Sequence, residues 1–373
     1  MKKAYKKSFK EFWRGLILSF FLLSCSTDSS VLDDRKTSEV PFFEGLPTFP
    51  KESLPSTGTL LSSNDSIQLF YDFGVLKPNQ EEFQFCLKGG SALPHPRLPM
   101  DLLFLVDISG SMASENKLTR VKEALFSLLD YLHPQDRIAI VLFDEVPEIW
   151  LLFTPISEKE NIREYFHPIY PRGGSNVTLA LEKCYRIFET QQQQQHQQHL
   201  ILITDGPDTP DRLLLKMIEE NFNKKHIMLS VLGLGENAST TFLIEMAKQG
   251  RGFFFSVSES AHLLSCIKEL LTHFSNIIAS HIEIDIFFED LPSKTQILEV
   301  SSSYPLFLEY PEYHLRPRDL SVQDILSVSF SFKRLLVSTP QNFCRITLKY
   351  QDGIQQKKIQ QIYTVPSVAL SPK

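Results

Sequence analysis

The chain has 373 residues, of which 42% are hydrophobic and 22% are charged, and its formal net charge is −6. This composition excludes a wholly disordered chain, and the lack of a basic excess gives no indication of a nucleic acid partner. The length is sufficient for two or three domains.

Residues 1–24 have the pattern of a secretion signal peptide. The basic stretch MKKAYKKSFKEFWR precedes the apolar segment GLILSFFLLSC, which is too short to span a bilayer comfortably. Its end, LLSC, resembles the bacterial lipobox, in which the cysteine becomes the lipid-bearing first residue of the mature protein. The resemblance implies that Cys25 carries fatty-acyl chains such as palmitate, although Leu23 stands where a small residue is more usual. The alternatives are an uncleaved anchor helix and a signal with an accidental cysteine.

The residues after Cys25 indicate where the protein lies. Residues 25–60 are rich in Ser, Thr, Pro and charged residues, which is typical of a flexible tether. By the same resemblance, the presence of Ser26 rather than Asp argues against retention at an inner membrane. We therefore expect a lipid-anchored protein of the bacterial cell envelope, with the outer membrane and the cell surface both left open.

Two segments within residues 61–98 alternate as strands do. They are SIQLFYDF and EEFQFCLKG, and the second places Phe83, Phe85 and Leu87 on one face. The stretch GGSALPHPRLP then marks a break. We expect these strands to form the N-terminal part of a β-domain.

Residues 99–275 alternate between apolar runs and helical patterns. The runs DLLFLVD, RIAIVLFD, HLILITDG and HIMLSVLGLG are hydrophobic on both faces, as strands of a parallel sheet covered by helices are. Segments of helical periodicity lie between them, beginning with LTRVKEALFSLLDYL. This pattern predicts an α/β domain with a doubly wound, mostly parallel sheet. The segment QQQQQHQQH (191–199) is interpreted as a solvated helix end or loop and not as a histidine metal site.

In residues 276–373 the hydrophobic period returns to two. The segments IEIDIFFE and ILSVSFSFK alternate, and Asp352-Gly353 marks the turn of a hairpin. This pattern predicts an antiparallel β-sandwich domain. The strands before residue 90 have no partners nearby in the sequence. We expect them to join the C-terminal strands, so that the α/β domain is inserted in, or flanked by, the β-domain.

Four cysteines follow Cys25. Cys184 and Cys266 fall in helical patterns and are expected to be small buried hydrophobic residues. Cys86 and Cys344 lie on predicted strands far apart in the sequence. They would form a disulfide only if those strands are neighbours, and the sequence leaves this question open.

Oxygen-bearing side chains stand where the apolar runs end. Asp107 ends the first run, and Ser109 and Ser111 follow it. Asp205 follows the third run, and Ser175 lies in a Gly-Gly turn before a helix. Ligands of open α/β sheets bind at the carboxyl ends of the strands, so we expect these side chains to lie together. Carboxylates and hydroxyls without His or Cys suit a hard cation such as Mg²⁺.

The motifs DISGSM, GGSN and ITDG, in this order, resemble those of the von Willebrand factor A domain and its metal-ion-dependent adhesion site. The resemblance covers about residues 99–275. It implies that the hydroxyls of Ser109 and Ser111 bind Mg²⁺ or Mn²⁺ directly, and that Asp107 and Asp205 hold the ion mainly through bridging waters. A Glu or Asp of a protein ligand would then complete the coordination.

Ser175 departs from the family, which usually has threonine at this position. The serine keeps the hydroxyl but lacks the methyl group that restricts its rotamer, so we expect the metal affinity or the switching of ligands to differ. Thr178, one helical turn later, is the alternative source of this hydroxyl.

Other interpretations compete with a metal site. In the first, Asp107 caps a helix and Ser109 and Ser111 form a polar turn. This interpretation does not explain Asp205 and Ser175, which lie on other segments. An aspartyl-phosphate phosphohydrolase would need a second acid where Ser109 stands, and GxSxG and GxxxxGK[ST] motifs are absent, so no enzyme activity is predicted. Asp144 is interpreted as a loop acid, and Asp208 and Asp211 as helix caps rather than a second cation site.

These observations predict a membrane-anchored, metal-dependent protein-binding module of the adhesion type. The tether and the β-domain would project the metal face outward. The pairing of a β-domain with an A domain also resembles bacterial relatives of the inter-alpha-trypsin inhibitor heavy chain. The alternative function is an envelope assembly or scaffold subunit that uses the A domain for docking.

Overall fold

A computed structural model describes residues 59–366, apart from 64–65, 78–79, 92–96, 167–168, 192, 194, 207–211, 236–239, 258, 260–261, 289–296, 303–305, 310–311, 323, 334–341 and 355–356. The described residues belong to one compact unit, Gly45–Lys373. The predicted signal peptide, Cys25 and the tether as far as residue 58 lie outside them. In the described part, no helix combines the length and the apolar character that a membrane span requires.

Three antiparallel strands precede the α/β region. They are β1 (Thr59–Ser63), β2 (Ile67–Lys77) and β3 (Gln80–Gly89). β2 pairs with β1 on one side and with β3 on the other. The alternation in the sequence explains their burial, because Phe83, Phe85 and Leu87 all turn towards the core.

A six-stranded sheet lies at the centre of the α/β region. Its strands are β4 (Met100–Asp107), β5 (Arg137–Phe143), β6 (Pro147–Pro155), β7 (Gln197–Thr204), β8 (Met228–Leu234) and β9 (Arg251–Val257). Their order is β6-β5-β4-β7-β8-β9, and only the edge strand β6 is antiparallel to its neighbour. The chain passes from β4 to β5 on one side and later to β7 on the other. This reversal opens a crevice at the carboxyl ends of β4 and β7.

Helices cover both faces of this sheet. They are α1 (Lys117–Leu128), α2 (Lys159–Glu164), α3 (Val177–Gln191), α4 (Arg212–Lys225), α5 (Thr240–Gln249) and α6 (Leu263–Ser275). Alternate residues of β4 serve the two faces: Leu102 and Phe104 pack with α1 and α6, whereas Leu103 and Leu105 pack with α3, α4 and α5. Two short 3₁₀ segments, Gly110–Asn116 and Ile156–Glu158, connect strands to helices.

The remaining strands form antiparallel sheets. They are β10 (Ile277–Phe288), β11 (Ile297–Ser302), β12 (Leu306–Glu309), β13 (Glu312–Leu315), β14 (Leu320–Ser321), β15 (Ile325–Lys333), β16 (Asn342–Asp352) and β17 (Lys357–Pro366). One sheet has the order β1-β2-β3-β15-β11, and the other has the order β12-β13-β10-β16-β17, with β14 paired to β10. Because β3 pairs with β15, strands from both sides of the α/β region share one sheet.

The two antiparallel sheets enclose a common apolar core. Phe83 and Phe330 of the first sheet contact Phe288 of the second, with ring centroids 6.3 and 5.2 Å apart. Cys86 on β3 and Cys344 on β16 are both buried, one on each sheet. The predicted fold class is therefore confirmed: a mostly parallel, helix-covered sheet is combined with additional antiparallel sheets.

Candidate metal centre

Asp107 ends β4 at the crevice and is fully buried. Its carboxylate is fixed from two sides: one oxygen accepts the backbone N–H of Ser109, in the loop after β4, at 2.8 Å, and the other accepts the hydroxyl of Thr204, the last residue of β7, at 2.6 Å. Hydrogen bonds to an ionised carboxylate are about twice as strong as those between neutral groups. Asp107 is therefore held in one orientation.

The burial of Asp107 makes its negative charge costly. Removal from water raises the pKa of this carboxyl above its usual value. The hydrogen bonds from Thr204 and Ser109 lower the pKa in part, whereas the nearby negative charge of Asp205 raises it. A cation held by these residues would offset the cost of burying this charge and the repulsion from Asp205, so the electrostatics of the site fit a positive ion.

Ser109, Ser111 and Asp205 form a chain of hydrogen bonds beside Asp107. The two serine hydroxyls lie 3.1 Å apart. The Ser111 hydroxyl donates to Asp205 at 2.8 Å, although the two residues are 94 positions apart in the sequence. The structure thus brings four of the five predicted residues into one polar cluster built from the ends of two neighbouring strands.

A third segment reaches the cluster through its backbone. The N–H of Arg172 donates to the carbonyl of Ile108 at 2.7 Å, and the N–H of Gly110 donates to the carbonyl of Gly173 at 3.1 Å. Gly173 has a φ of +65°, which turns the chain tightly at this point and suits a residue without a side chain. These bonds fix the segment that carries Ser175 against the Asp107 loop.

Ser175 itself is half-buried, and its hydroxyl makes no hydrogen bond to the described residues. The next residue, Asn176, accepts the backbone N–H of Leu179 at 3.1 Å and so caps α3. Thr178 lies within the first turn of α3. Ser175 is therefore placed beside the cluster but is not joined to it.

Lys117 was not anticipated by the sequence analysis. Its ammonium group donates to Asp205 at 3.1 Å, and the two side chains are only 12% and 8% exposed. Lys117 is the first residue of α1, where the helix dipole disfavours a positive charge. No motif in the sequence indicates this contact, because Lys117 follows the strand that ends at Asp107 and yet pairs with Asp205, 88 positions further along the chain.

Asp144 belongs to a separate set of contacts. Its carboxylate accepts the side chain of Arg172 at 2.8 Å and the backbone N–H of Val146 at 2.9 Å. The bond from Val146 is the larger cause of a lowered pKa, and Arg172 adds to it. These contacts are those of a loop acid that secures a turn. Asp208 and Asp211 lie outside the described residues.

The ligand types in the cluster suit a hard cation. Two carboxylates and several hydroxyls are present, and oxygen ligands of this kind are those that Mg²⁺ and Mn²⁺ prefer. Among the described residues, no group of three or more His, Cys, Asp or Glu side chains is arranged for a metal ion. A cation at the crevice would therefore depend on the serine hydroxyls.

Comparison with known proteins identifies this part of the chain. Residues 101–269 match the family model described as the von Willebrand factor type A domain. These residues form an A domain. The three polar segments at the crevice all fall within it.

Curated relatives match about half of the chain. The inter-alpha-trypsin inhibitor heavy chain H4 of Bos taurus is 25% identical over 211 residues, which are 53% of this chain and 23% of that protein. The heavy chain H2 of Homo sapiens is 23% identical over 210 residues, which are 53% of this chain and 22% of that protein. The match thus spans less than a quarter of the length of these relatives.

Solved structures resemble both the A domain and the sheets around it. The von Willebrand factor type A protein from Catenulispora acidiphila has a TM-score of 0.64 at 15% identity, over 83% of this chain and 75% of that chain. The ArnB paralog VWA2 from Sulfolobus acidocaldarius has a TM-score of 0.52 at 16% identity, over 81% and 76%. Because the matches extend beyond residues 101–269, the arrangement of the A domain with antiparallel sheets is a shared fold.

Proposed function

We propose that this chain is a membrane-anchored protein-binding module of the adhesion type whose A domain acts through a divalent cation, Mg²⁺ or Mn²⁺. The cation would be held by five residues: Asp107, Ser109, Ser111, Ser175 and Asp205. The observation that carries the proposal is the hydrogen-bonded cluster of two carboxylates and two hydroxyls at the crevice. Asp107 and Asp205 would carry two negative charges against the single positive charge of Lys117, and a divalent cation would supply the compensation that is still missing.

The residues of the cluster would have different roles. Ser109 and Ser111 would offer neutral hydroxyl oxygens, whereas Asp107 and Asp205 would supply the negative charge that retains the ion. Thr204 would act on the site through Asp107, because its hydroxyl fixes one carboxylate oxygen. When bound, the cation would supply an electrophilic centre for a carboxylate of a partner protein.

The proposed location rests on the N-terminal residues. Lipid attached to Cys25 would anchor the chain to a membrane of the bacterial cell envelope, and residues 25–60 would act as the tether. We expect Cys25→Ser to lose the incorporation of labelled palmitate and to leave the membrane fraction. Incorporation that persists in this variant would contradict lipidation at Cys25.

The cation is tested by titrating the purified full chain with Mn²⁺, followed by electron paramagnetic resonance, in wild type and in Ser109→Ala/Ser111→Ala. We expect saturable binding to wild type and at least a tenfold weaker affinity in the double variant, because two oxygen ligands are lost. Mg²⁺ should compete with Mn²⁺ for the wild-type site.

The matched control is Ser127→Ala/Ser157→Ala. Neither of these hydroxyls makes a hydrogen bond within the described structure, and Ser127 lies in the last turn of α1, away from the crevice. The control should bind Mn²⁺ like wild type. Folded wild-type protein without saturable binding would overturn the proposal, and equal binding by the Ser109/Ser111 variant would move the cation to another site.

A further inference from the structure

The ion pair between Lys117 and Asp205 occupies the place where the crevice needs a positive charge. Its ammonium nitrogen lies 3.1 Å from the Asp205 carboxylate, on the oxygen that does not accept the Ser111 hydroxyl. We propose that the positive charge of Lys117 weakens the binding of the cation. Because of this charge, the site with its cation bound requires one carboxylate from the partner protein to become neutral. This inference rests on the proposed cation function.

The backbone directly before Lys117 turns so that the lysine side chain reaches the crevice. Glu115 and Asn116 both have left-handed backbones, with φ values of +56° and +55°. This conformation is unfavourable by about 1 kcal/mol or more for a residue such as Glu115, whereas asparagine adopts it more readily. The unfavourable turn lies directly before Lys117, the first residue of α1.

Gly235, after β8, makes room for the Lys117 side chain. A β-carbon at position 235 would lie 3.2 Å from the ammonium nitrogen and 3.3 Å from the adjacent carbon, and the φ of Gly235 is +86°. Nearly nine-tenths of the lysine side chain is withdrawn from solvent. The salt bridge is therefore an enclosed contact and differs from an exposed surface pair, which contributes little.

The net charge of the crevice explains how Lys117 would affect the binding of the cation. Asp107 and Asp205 together carry two negative charges, and Lys117 reduces this to a net charge of −1. A divalent cation changes the net charge to +1, and a partner carboxylate then brings it to zero. Without Lys117, the cation alone would neutralise the two acids, and a partner carboxylate would add an uncompensated negative charge in a partly buried site.

Lys117→Met is the direct test, because methionine keeps most of the apolar stem and removes the charge. We expect the Mn²⁺ affinity of the purified full chain to increase about tenfold, since a nearby positive charge no longer opposes the ion. Lys117→Arg should retain an affinity close to wild type. Lys122→Met on the same helix is the matched control and should not change the affinity.

Affinity that is unchanged or weaker in Lys117→Met, with binding intact in wild type, would overturn the role of Lys117 alone. Absence of saturable Mn²⁺ binding in wild type and in all variants would instead remove the cation function, and the inference with it. The two failures are therefore distinguishable in one set of titrations.

A second arm uses acetate as the carboxylate probe. At equal ionic strength and equal free Mn²⁺, replacing chloride with acetate should tighten Mn²⁺ binding by wild type and should have a smaller effect on Lys117→Met. Equal effects on the two proteins, or no effect on wild type, would overturn the requirement for a carboxylate.

A third readout needs no cation. In excess EDTA, Lys117→Met should melt at a lower temperature than wild type, because Asp107 and Asp205 then repel one another without compensation. Saturating Mg²⁺ should remove this deficit. An unchanged melting temperature in EDTA would show that Lys117 does not neutralise the empty site.

Discussion

At the scale of single residues, Asp107 is the group for which stability and the proposed cation binding would conflict. Burial raises the pKa of its carboxyl, so the ionised form costs stability above the usual pKa, and this cost disappears as the pH falls. We predict that Asp107→Asn raises the melting temperature in EDTA while reducing Mn²⁺ affinity at least tenfold. Melting curves with EDTA and with Mn²⁺ check both parts. A lower melting temperature in EDTA would contradict the desolvation argument.

Thr204 gives a second prediction at this scale. Its hydroxyl donates to Asp107 at 2.6 Å and accepts the backbone N–H of Gly206 at 3.1 Å. Thr204→Val keeps the shape but removes both bonds, so we expect a loss of about 1.5–3 kcal/mol in the free energy of unfolding. Urea unfolding in EDTA measures this loss. An unchanged free energy would mean that the carboxylate is satisfied in another way.

Most residues of the candidate site can be predicted from the sequence. Asp107, Ser109, Ser111 and Asp205 were predicted because polar side chains at the carboxyl ends of parallel strands must meet. Lys117 was not, since its charge reaches the crevice through a left-handed turn that no periodicity reveals. Whether Ser175 acts as a ligand also stays a prediction, because its hydroxyl is not joined to the cluster.

At the scale of elements, β9 illustrates a close backbone approach. A β-carbon at Gly252 would lie 2.1 Å from the carbonyl oxygen of Leu229 on β8, where the strand register is irregular. We predict that Gly252→Ala lowers the free energy of unfolding by more than about 3 kcal/mol, because the clash is with backbone. Gly174→Ala is the control, since its nearest neighbour is the flexible side chain of Glu145 at 3.3 Å. A mild effect at Gly252 would contradict this prediction.

Strong periodicity predicted elements well, and weak periodicity did not. The runs that became β4, β5, β7 and β8 are short and apolar on both faces, which is typical of buried parallel strands. The edge strand β6 (PEIWLLFTP) lacks both alternation and continuous burial, and so it was not predicted. The strands before residue 90 were expected to have no partner nearby, but β2 and β3 pair with each other as well as joining the C-terminal strands.

The glutamine-rich segment shows how tertiary packing overrides composition. It was interpreted as a solvated helix end or loop, yet β7 begins at Gln197, and Gln198 and His199 are buried. The His199 ring stacks on Phe274 of α6, with centroids 3.7 Å apart. Burial of this kind depends on neighbours that are distant in the sequence, so local composition could not predict it.

At the scale of the whole molecule, His199 links stability to pH. Burial lowers the pKa of His199 to about 3, and its Nδ1 has no hydrogen-bond partner among the described residues. In the unfolded chain the imidazole of His199 binds a proton as the pH falls below about 6.5, whereas in the folded protein it stays neutral until about pH 3. The free energy of unfolding therefore decreases as the pH falls below about 6.5, by up to about 1.4 kcal/mol per pH unit.

His199→Phe preserves the stacking and removes this proton. We predict a shallower decrease in the free energy of unfolding between pH 7 and pH 5 than in wild type, together with equal or higher stability at pH 7. Urea unfolding at the two pH values provides the measurement. Identical pH dependence in variant and wild type would contradict a role for His199.

Contacts join the A domain to the antiparallel sheets at the end of the parallel sheet that lies away from Asp107. His226, which follows α4, pairs with Asp319 at 2.8 Å, and Arg251 at the start of β9 donates to the carbonyl of Arg316 at 2.6 Å. Both contacts lie near the N-terminal ends of strands β8 and β9. The crevice and the joint with the antiparallel sheets are thus at opposite ends of the same strands.

The position of β4 has a mechanical consequence. This strand runs in the middle of the sheet from Met100, near that joint, to Asp107 at the crevice, and it is hydrogen-bonded on both sides along its length. A force applied along the axis of β4 would load the hydrogen bonds to β5 and β7 in shear, so that they would resist together. Only a force across the sheet would break these hydrogen bonds one at a time. The sheet would therefore resist a force along β4 better than a force across its strands.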